Sequence, residues 1–544
     1  MDCDYIVIGS GFGGSVAALR LSQKGYRVKV LEAGRRWTLD DFPTTSWQTR
    51  RTLWAPRLGC YGPLQIHMLR HALVLSGVGV GGGSLIYGNT LYEPLDSFFQ
   101  SPPIQALGGD ALKPYFDLAR RMMGVCLNPH LTPMDEHLRQ TAAEYGRADT
   151  FNPSPVAVFF GPPGLPAPDP YFDGEGPERA GCTACGGCFL GCRVGAKNTL
   201  DRNYLHLAER LGCEIHPNTR VERIVPLPQG GFAVHTRAAE GWRPRRRTFT
   251  APQVVLAAGV MGTLRLLLDA RRRGDLPDLS PALGQQVRTN SEAVVVVRCR
   301  DPLADHSRGL AASSSVFPDP HTQVQIDRYP AGSDSVAALA TLMIDGDHPW
   351  PRPLRLLAAL ARSPVASLRA LWPAGFARQS AFLVVMQDLD SRLRLRLRRR
   401  LLPPFPLTLR SEADGAPPAT WIPIAHDFAR KLAARLDATP LSSAPEVLLN
   451  APTTAHILGG CSIGPAPDLG VVGPDHQLFG HPGLTVCDGS VIPVNLGVNP
   501  ALTILALSER AMARVPLKPG AHLRSLAAER RWGTEHLLLE RQSL

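Results

Sequence analysis

Long apolar runs are missing from this sequence. Stretches such as SAFLVVM (Ser380–Met386) and VASLRALW (Val365–Trp372) stop far short of the roughly 18 to 20 residues a helix needs to cross a bilayer, so no membrane-spanning helix is expected. Cysteine is scarce: eleven in 544 residues exclude a disulfide-dense secreted scaffold. The N-terminus lacks the basic, apolar and small-residue succession of a signal peptide. It opens directly on a strand pattern, DYIVIGSG, and a cytoplasmic protein is expected. Charged residues make up only 19% against 44% hydrophobic, which excludes general disorder and lets the chain bury a large core in at least two domains. Solenoid-type repeats are absent. The charge that is present is one-sided, +11, and a basic excess draws anionic partners such as nucleic acid or an anionic membrane surface.

What is present begins with a strand (Asp4 to Ile8), a glycine turn (Gly9 to Gly14), a helix (Ser15 to Lys24) and a second strand (Arg27 to Leu31), a βαβ-type opening. In GSGFGG, Gly9 permits the tight turn and Gly11 lets the backbone approach a pyrophosphate. Gly14, after Phe12 and Gly13, lets helix and strand pack closely. The helix N-terminus adds NH groups and positive potential. Glu32, in LEAG at the end of the next strand, stands where a carboxylate can accept from a ribose 2′-hydroxyl, and it disfavours a 2′-phosphorylated cofactor. A second strand and helix, QVVLAAG and MGTLRLLLDARRRG, recur far along the chain, so the dinucleotide domain reads as discontinuous. Between about Asn290 and Pro440 the period becomes two, in AVVVVRCR, TQVQIDRY, AFLVVMQDL and RLRLRLRRR, which predicts a separate, largely antiparallel sheet. Proline and glycine cluster at Phe160 to Gly187 and Leu402 to Pro418, marking loops or crossings.

Further motifs follow in order: GVGVGGGSLIYGNTLYEP from Gly77 to Pro94, VVLAAGVMGTLRLLL from Val254 to Leu268, then HILGG, CDGSVIP and GVNPALTILALSER. Together they resemble the glucose-methanol-choline (GMC) oxidoreductase family, and most closely its cholesterol oxidase-like branch, over roughly Asp4 to Pro94, Gly195 to Gly262 and His456 to Arg510. The resemblance implies an α/β fold: a Rossmann-type FAD-binding domain, glutathione reductase-like, with a discontinuous substrate domain on a largely antiparallel sheet. It implies FAD held by Gly9, Gly11, Phe12, Gly13, Gly14 and Glu32, by Val80, Gly81, Gly82, Gly83 and Ser84, and by the backbone at Val221. Ala258, Gly259, Asp488 and Gly489 complete that set, with Asn499 and Pro500 against the flavin ring. It also implies that His456 is the base or orienting group for alcohol oxidation, as suits a histidine titrating near neutrality, and that Asn499 is its partner. Ile457 stands where cholesterol oxidases carry proline, and Tyr87 where they tend to have a smaller amide. The glutamate those oxidases use for double-bond isomerisation has no assignable counterpart. Glu292 in RTNSE is the nearby glutamate in a suggestive polar setting, and isomerase activity is not carried over. His476 and His481, in a polar loop, are expected to be solvated.

The domains expected are 1–290 with 451–515 for FAD, including a cysteine-rich insert near 160–195, then 291–450 for substrate and 516–544 as a C-terminal tail. In the insert, Cys182, Cys185, Cys188 and Cys192 give C-x2-C-x2-C-x3-C, the spacing of an iron-sulfur run, although Arg193 replaces the usual proline and there is no second run. Zinc, or a set of free thiols, are the other readings. A cluster would let electrons leave singly for a carrier, making the protein a dehydrogenase rather than an oxygen-using oxidase.

From Pro349 to Gln387 there are five arginines (352, 355, 362, 369 and 378) and no acidic residue, interleaved with leucine and tryptophan. Such a stretch can lie on an anionic bilayer or form helices covering the sheet. Nucleic acid is not expected, since no recognition module is present. The expected function is FAD-dependent oxidation of a hydroxyl on a hydrophobic alcohol, a sterol first (3-hydroxysteroid to ketone), with oxygen or a carrier taking the electrons. The alternatives are a dehydrogenase of a terpenoid or long-chain alcohol using the iron-sulfur centre, and a flavin-binding electron-transfer module without turnover.

Overall fold

The computed structural model describes residues 1–240, 245–398 and 407–539. Arg399 and Arg400 of the alternating strand pattern, residues 402–406 of the second proline-rich stretch and the end of the tail from 540 lie outside the described residues.

Two sheets organise the chain. The first is parallel and five-stranded, in the order Glu214–His216, Val28–Leu31, Tyr5–Ile8, Gln253–Leu256, Leu484–Val486. Its central strands read as unbroken apolar runs because helices bury both faces. The first helix starts at Phe12, inside the predicted glycine turn, and ends at Gln23. Glycine is a poor helix former, but packing overrides propensity here: a Cβ on Gly13 would fall 1.8 Å from the Cys487 carbonyl oxygen.

The second sheet is antiparallel and seven-stranded, in the order Ala340–Leu342, Ala438–Ser443, Ala293–Cys299, Ser380–Gln387, Thr322–Asp327, Ala312–Asp319, Asn152–Pro153. The period-two segments supply three of its central strands. Val295, Val297, Val324, Ile326, Leu383 and Val385 face one core, closed by helices Pro423–Arg435 and Pro133–Ala143. The alternating leucine-arginine strand is different. Leu393–Arg398 pairs with Thr408–Ala413 in a separate hairpin, and Leu393 and Leu395 are buried in the core of the parallel-sheet side.

The C-terminal segment packs closely. Leu526, Ala528 and Leu538 are buried in the first core, and buried Arg20 on the first helix pairs with both Glu509 and Glu529. Glu509 also accepts from the Tyr204 hydroxyl (2.7 Å), and Glu529 from Gln23 Nε2 (2.7 Å). This network ties the helix Ala501–Ala513, whose leading end carries Asn499 and Pro500, to the helix that begins at the glycine turn. Removing Glu509 leaves Arg20 paired with Glu529 alone and strips Arg20 Nε, Arg20 Nη2 and the Tyr204 hydroxyl of their buried acceptor. Glu509→Leu is therefore expected to cost about 3–5 kcal/mol of stability, read as a lowered midpoint of denaturant unfolding.

Candidate active site

The glycine turn lies at the carboxyl end of the first parallel strand, where open α/β sheets bind ligands. Gly9 has φ +100°, and a Cβ there would lie 2.2 Å from the Ala257 carbonyl oxygen. A Cβ on Gly14 would lie 2.1 Å from Gly9 O. Gly11 differs: its Cβ would meet nothing within 4 Å. Packing does not require that glycine, and the open side fits the close approach of a dinucleotide pyrophosphate.

The second glycine-rich stretch folds onto this turn. A Cβ on Gly82 would come within 2.6 Å of Gly11 Cα, and one on Gly83 within 3.3 Å of the Phe12 ring. Gly81 N donates to Ser10 Oγ (3.2 Å), Val80 N donates to Arg35 O (3.0 Å), and the Ser84 hydroxyl donates to Gly81 O (2.7 Å). Glu32 is the hub. One carboxylate oxygen accepts from Ser10 N (3.1 Å) and Ser10 Oγ (2.7 Å), the other from Gly34 N (2.9 Å) and Gly79 N (3.2 Å). Burial raises its pKa above the ordinary carboxylate value, and these hydrogen bonds oppose the shift. Glu32 thus joins the turn to the second glycine loop, a structural duty the sequence did not reveal. Thr219 N donates to Glu32 O (2.7 Å), which brings the strand carrying Val221 to the same end.

Across the turn, Ala258 caps the helix Gly259–Arg273, and a Cβ on Gly259 would also meet open space. Asp488 is buried and accepts from Thr263 Oγ1 (2.5 Å) and Ser490 N (2.9 Å), with Gly489 opening the following turn. Desolvation raises its pKa.

A second set of side chains meets between the start of the strand Ala293–Cys299, which Glu292 precedes, and the start of the helix Ala501–Ala513, which Asn499 precedes. His456 Nε2 and Asn499 Nδ2 are 3.3 Å apart. For the amide to donate, Nε2 must carry its lone pair, which assigns the ring proton to Nδ1. Glu292 Oε2 lies 3.1 Å from that Nδ1, a contact outside hydrogen-bond geometry that becomes an ion pair when the ring is protonated. The same oxygen accepts from Ala455 N (3.1 Å). Asn499 Oδ1 is buried without a partner, as suits an amide waiting for a polar ligand group. Pro500 begins the helix behind it.

Asp327 was not anticipated. It follows Gln323 and Gln325 on one face of a strand whose other face, Val324 and Ile326, is core. Its cross-strand neighbours on that polar face include Phe382, and those of Gln325 and Gln323 are Val384 and Met386, so the site's wall is mixed polar and apolar. Burial pushes the Asp327 carboxyl from 3.8 up to about 7, against the Gln325 hydrogen bond and the nearby His456. A carboxyl raised on folding favours the native state fully below its unfolded pKa and loses that contribution as pH rises to the folded value. Thermal stability should therefore decline between about pH 4 and 7 more steeply in the native protein than in Asp327→Asn, measured by melting across that range.

Other expectations need correction. His476 and His481 are buried rather than solvated. His476 Nδ1 contacts the Val486 carbonyl oxygen (3.0 Å), and burial lowers its pKa to about 4. Tyr87 is held by its hydroxyl, which donates to Asn198 O (2.8 Å), and its ring meets Phe12 edge-on at 5.7 Å. In the basic segment, Arg352 is buried against Glu446 (3.2 Å) instead of facing outward.

The four clustered cysteines are free. Among the described residues no three Cys, His, Asp or Glu side chains are arranged to hold a metal ion, so neither the iron-sulfur nor the zinc reading has a preformed ligand set. Burial pushes the Cys182 thiol up to about 12 and raises that of Cys188. Those two are the opposite of reactive thiolates.

Residues 177–271 and 423–508 match the GMC oxidoreductase family, and residues 7–39 the NAD(P)-binding Rossmann-like domain. The chain is 46% identical to a cholesterol oxidase of Mycobacterium tuberculosis, over 95% of this chain and 92% of that one. It is 40% identical to a cholesterol oxidase of Acinetobacter baumannii, over 95% of each. Among solved structures, pyridoxine 4-oxidase from Mesorbium loti shares the fold, with a TM-score of 0.59 at 16% identity, over 93% of this chain and 97% of that one.

Proposed function

The chain belongs to the GMC oxidoreductase family, and from that premise we propose that it is an FAD-dependent enzyme oxidising the hydroxyl group of a hydrophobic alcohol, with a 3-hydroxysteroid going to its ketone as the leading substrate. The observation that carries this reading is the meeting of His456, Asn499 and Glu292, with a free amide oxygen, between the dinucleotide turn and a partly apolar sheet face. The family's cofactor, FAD, fits the cradle of Gly9 to Gly14, Glu32, Val80 to Ser84, Val221, Ala258, Gly259, Asp488 and Gly489, and when bound it supplies the hydride acceptor.

The chain's own residues supply the rest. His456 Nε2, whose lone pair the Asn499 amide holds at 3.3 Å, takes the hydroxyl proton once the substrate hydroxyl displaces that amide. Glu292 beside Nδ1 stabilises the imidazolium that forms, and Asn499 orients the substrate oxygen. Asp327, whose carboxyl burial pushes up to about 7, is thereby shifted toward its neutral form, which limits the negative charge beside Glu292. The test is a panel of alcohols with turnover as readout: sterols should be oxidised fastest, and turnover of small polar alcohols with none of sterols would overturn the substrate class.

The same reading includes contact with a membrane surface. Helices Arg352–Arg362 and Pro364–Leu371 cover the sheet with Leu356 and Ala370, but Trp350, Leu354, Leu357, Val365, Leu368 and Trp372 are each at least half exposed. Exposed Arg362 and Arg369 lie among them. Among the described residues no helix is long and apolar enough to cross a membrane, so this surface would lie flat on anionic lipid. The double variant Leu357→Asp/Leu368→Asp should lose most co-flotation with phosphatidylserine-containing vesicles, and unchanged flotation would refute the contact.

A further inference from the structure

The four-cysteine run is the motif that alcohol oxidation leaves unused. We infer that Cys182, Cys185, Cys188 and Cys192 form the binding site of an iron-sulfur cluster set beside the dinucleotide site. All four line one cavity, at the spacing that wraps a chain around a cluster. A cluster holds its thiolates around a perimeter, with iron and sulfide between them. Among the described residues no ligand set stands preformed for a metal ion of either kind, and it is the C-x2-C-x2-C-x3-C spacing that favours a cluster over zinc. The free space between these side chains is about 20 Å³, so loading requires the thiols to spread. The glycines between them shape the wrap: Gly186 and Gly191 have φ of +72° and +102°, and a Cβ on them would strike Ser307 O at 2.3 Å and the Phe42 ring at 2.0 Å.

Two further side chains in the cavity wall point to a ligand. Asn89 is fully buried at φ +70°, and neither its Nδ2 nor its Oδ1 has a hydrogen-bond partner. An orphaned buried amide is costly, and a cluster sulfur would accept from its NH2, the kind of hydrogen bond that tunes such centres. Lys197, also fully buried in that wall, donates to the carbonyl oxygens of Leu85 (3.1 Å), Tyr87 (2.9 Å) and Cys188 (3.0 Å). A buried cation is offset by a nearby anion, and a centre bound by four thiolates is anionic.

Position gives the cluster its role. Residues 85–89 follow directly on the Val80–Ser84 wall of the dinucleotide site, and Tyr87 bridges Lys197 (4.7 Å from the ring centroid) and Phe12. The two electrons lost by the alcohol would leave the flavin one at a time. A cluster held by these four cysteines would supply a one-electron relay, each electron reducing one ferric iron to ferrous before passing to an external one-electron acceptor, with the protons going to solvent. This role rests on the proposed alcohol oxidation, whereas the cluster site does not.

The test is anaerobic purification of the whole protein, reconstitution with ferrous iron and sulfide, and measurement of iron, acid-labile sulfide and FAD. About two to four irons per chain with matching sulfide, and an electron paramagnetic resonance signal on dithionite reduction, are expected. Cys188→Ser and Cys192→Ser should lose the iron while keeping FAD, and Cys60→Ser should retain it. Background iron in a reconstituted wild-type protein that carries FAD, or zinc in place of iron, would overturn the site. Iron and sulfide in a protein whose flavin no alcohol bleaches would uphold the site and refute the alcohol reading.

Discussion

Replacing His456 by alanine is expected to slow anaerobic flavin bleaching by a sterol about 10²- to 10⁴-fold, the range for losing a positioned general base. FAD content should stay unchanged. The polar contacts of the imidazole are to Asn499 and Glu292 and none holds the glycine turn or Glu32, so its loss is expected to remove proton transfer and leave the cradle. Glu292→Gln separates orientation from charge. If the carboxylate stabilises the imidazolium, this variant slows bleaching but leaves the steroid concentration needed for half-maximal rate nearly unchanged. A merely structural Glu292 would show no rate loss once folded. Bleaching at wild-type rates in His456→Ala would reject the assignment of the base.

Gly11→Ala is expected to abolish FAD retention, at least about tenfold in affinity, with the fold intact. The contrast with Gly13 makes the point. A methyl on Gly13 collides with Cys487 O at 1.8 Å, so Gly13→Ala should damage folding itself. A methyl on Gly11 meets nothing in the protein within 4 Å and can exclude only what enters from outside. Wild-type circular dichroism with lost flavin absorbance is the expected pair of observations for Gly11→Ala. Full flavin content would place the pyrophosphate elsewhere.

Periodicity made much of this fold legible. The apolar runs at Tyr5–Ile8 and Gln253–Leu256 and the alternating segments at Ala293–Cys299 and Thr322–Asp327 are strands where the pattern put them, because burial on two faces or one face leaves those different signatures. The same reasoning misplaced Leu393–Arg398. Period two states that one face is buried but not against which core, and Leu393 and Leu395 chose the parallel-sheet side. His476 looked solvated among polar neighbours, yet its loop folds inward and the Val486 carbonyl partners it.

The proposed site draws on glycines and on His456 and Asn499, which sit in recognisable local motifs. Its carboxyls were less legible. Glu292 stood out in RTNSE, but its place beside His456, 164 residues away, did not, and Asp327 reads locally as the polar face of an ordinary strand. Their meeting is set by tertiary packing, which no local pattern encodes. Asn89 likewise looks like a loop residue until its unpartnered amide is found in the cysteine cavity.

The most direct measurement is an anaerobic single turnover: protein carrying FAD mixed with a 3-hydroxysteroid, following flavin absorbance and ketone together. The account predicts that the flavin bleaches as stoichiometric ketone appears, and that deuterium at the carbinol carbon slows both. Ketone formation without flavin reduction, or a flavin that stays oxidised while the steroid is recovered unchanged, would contradict it.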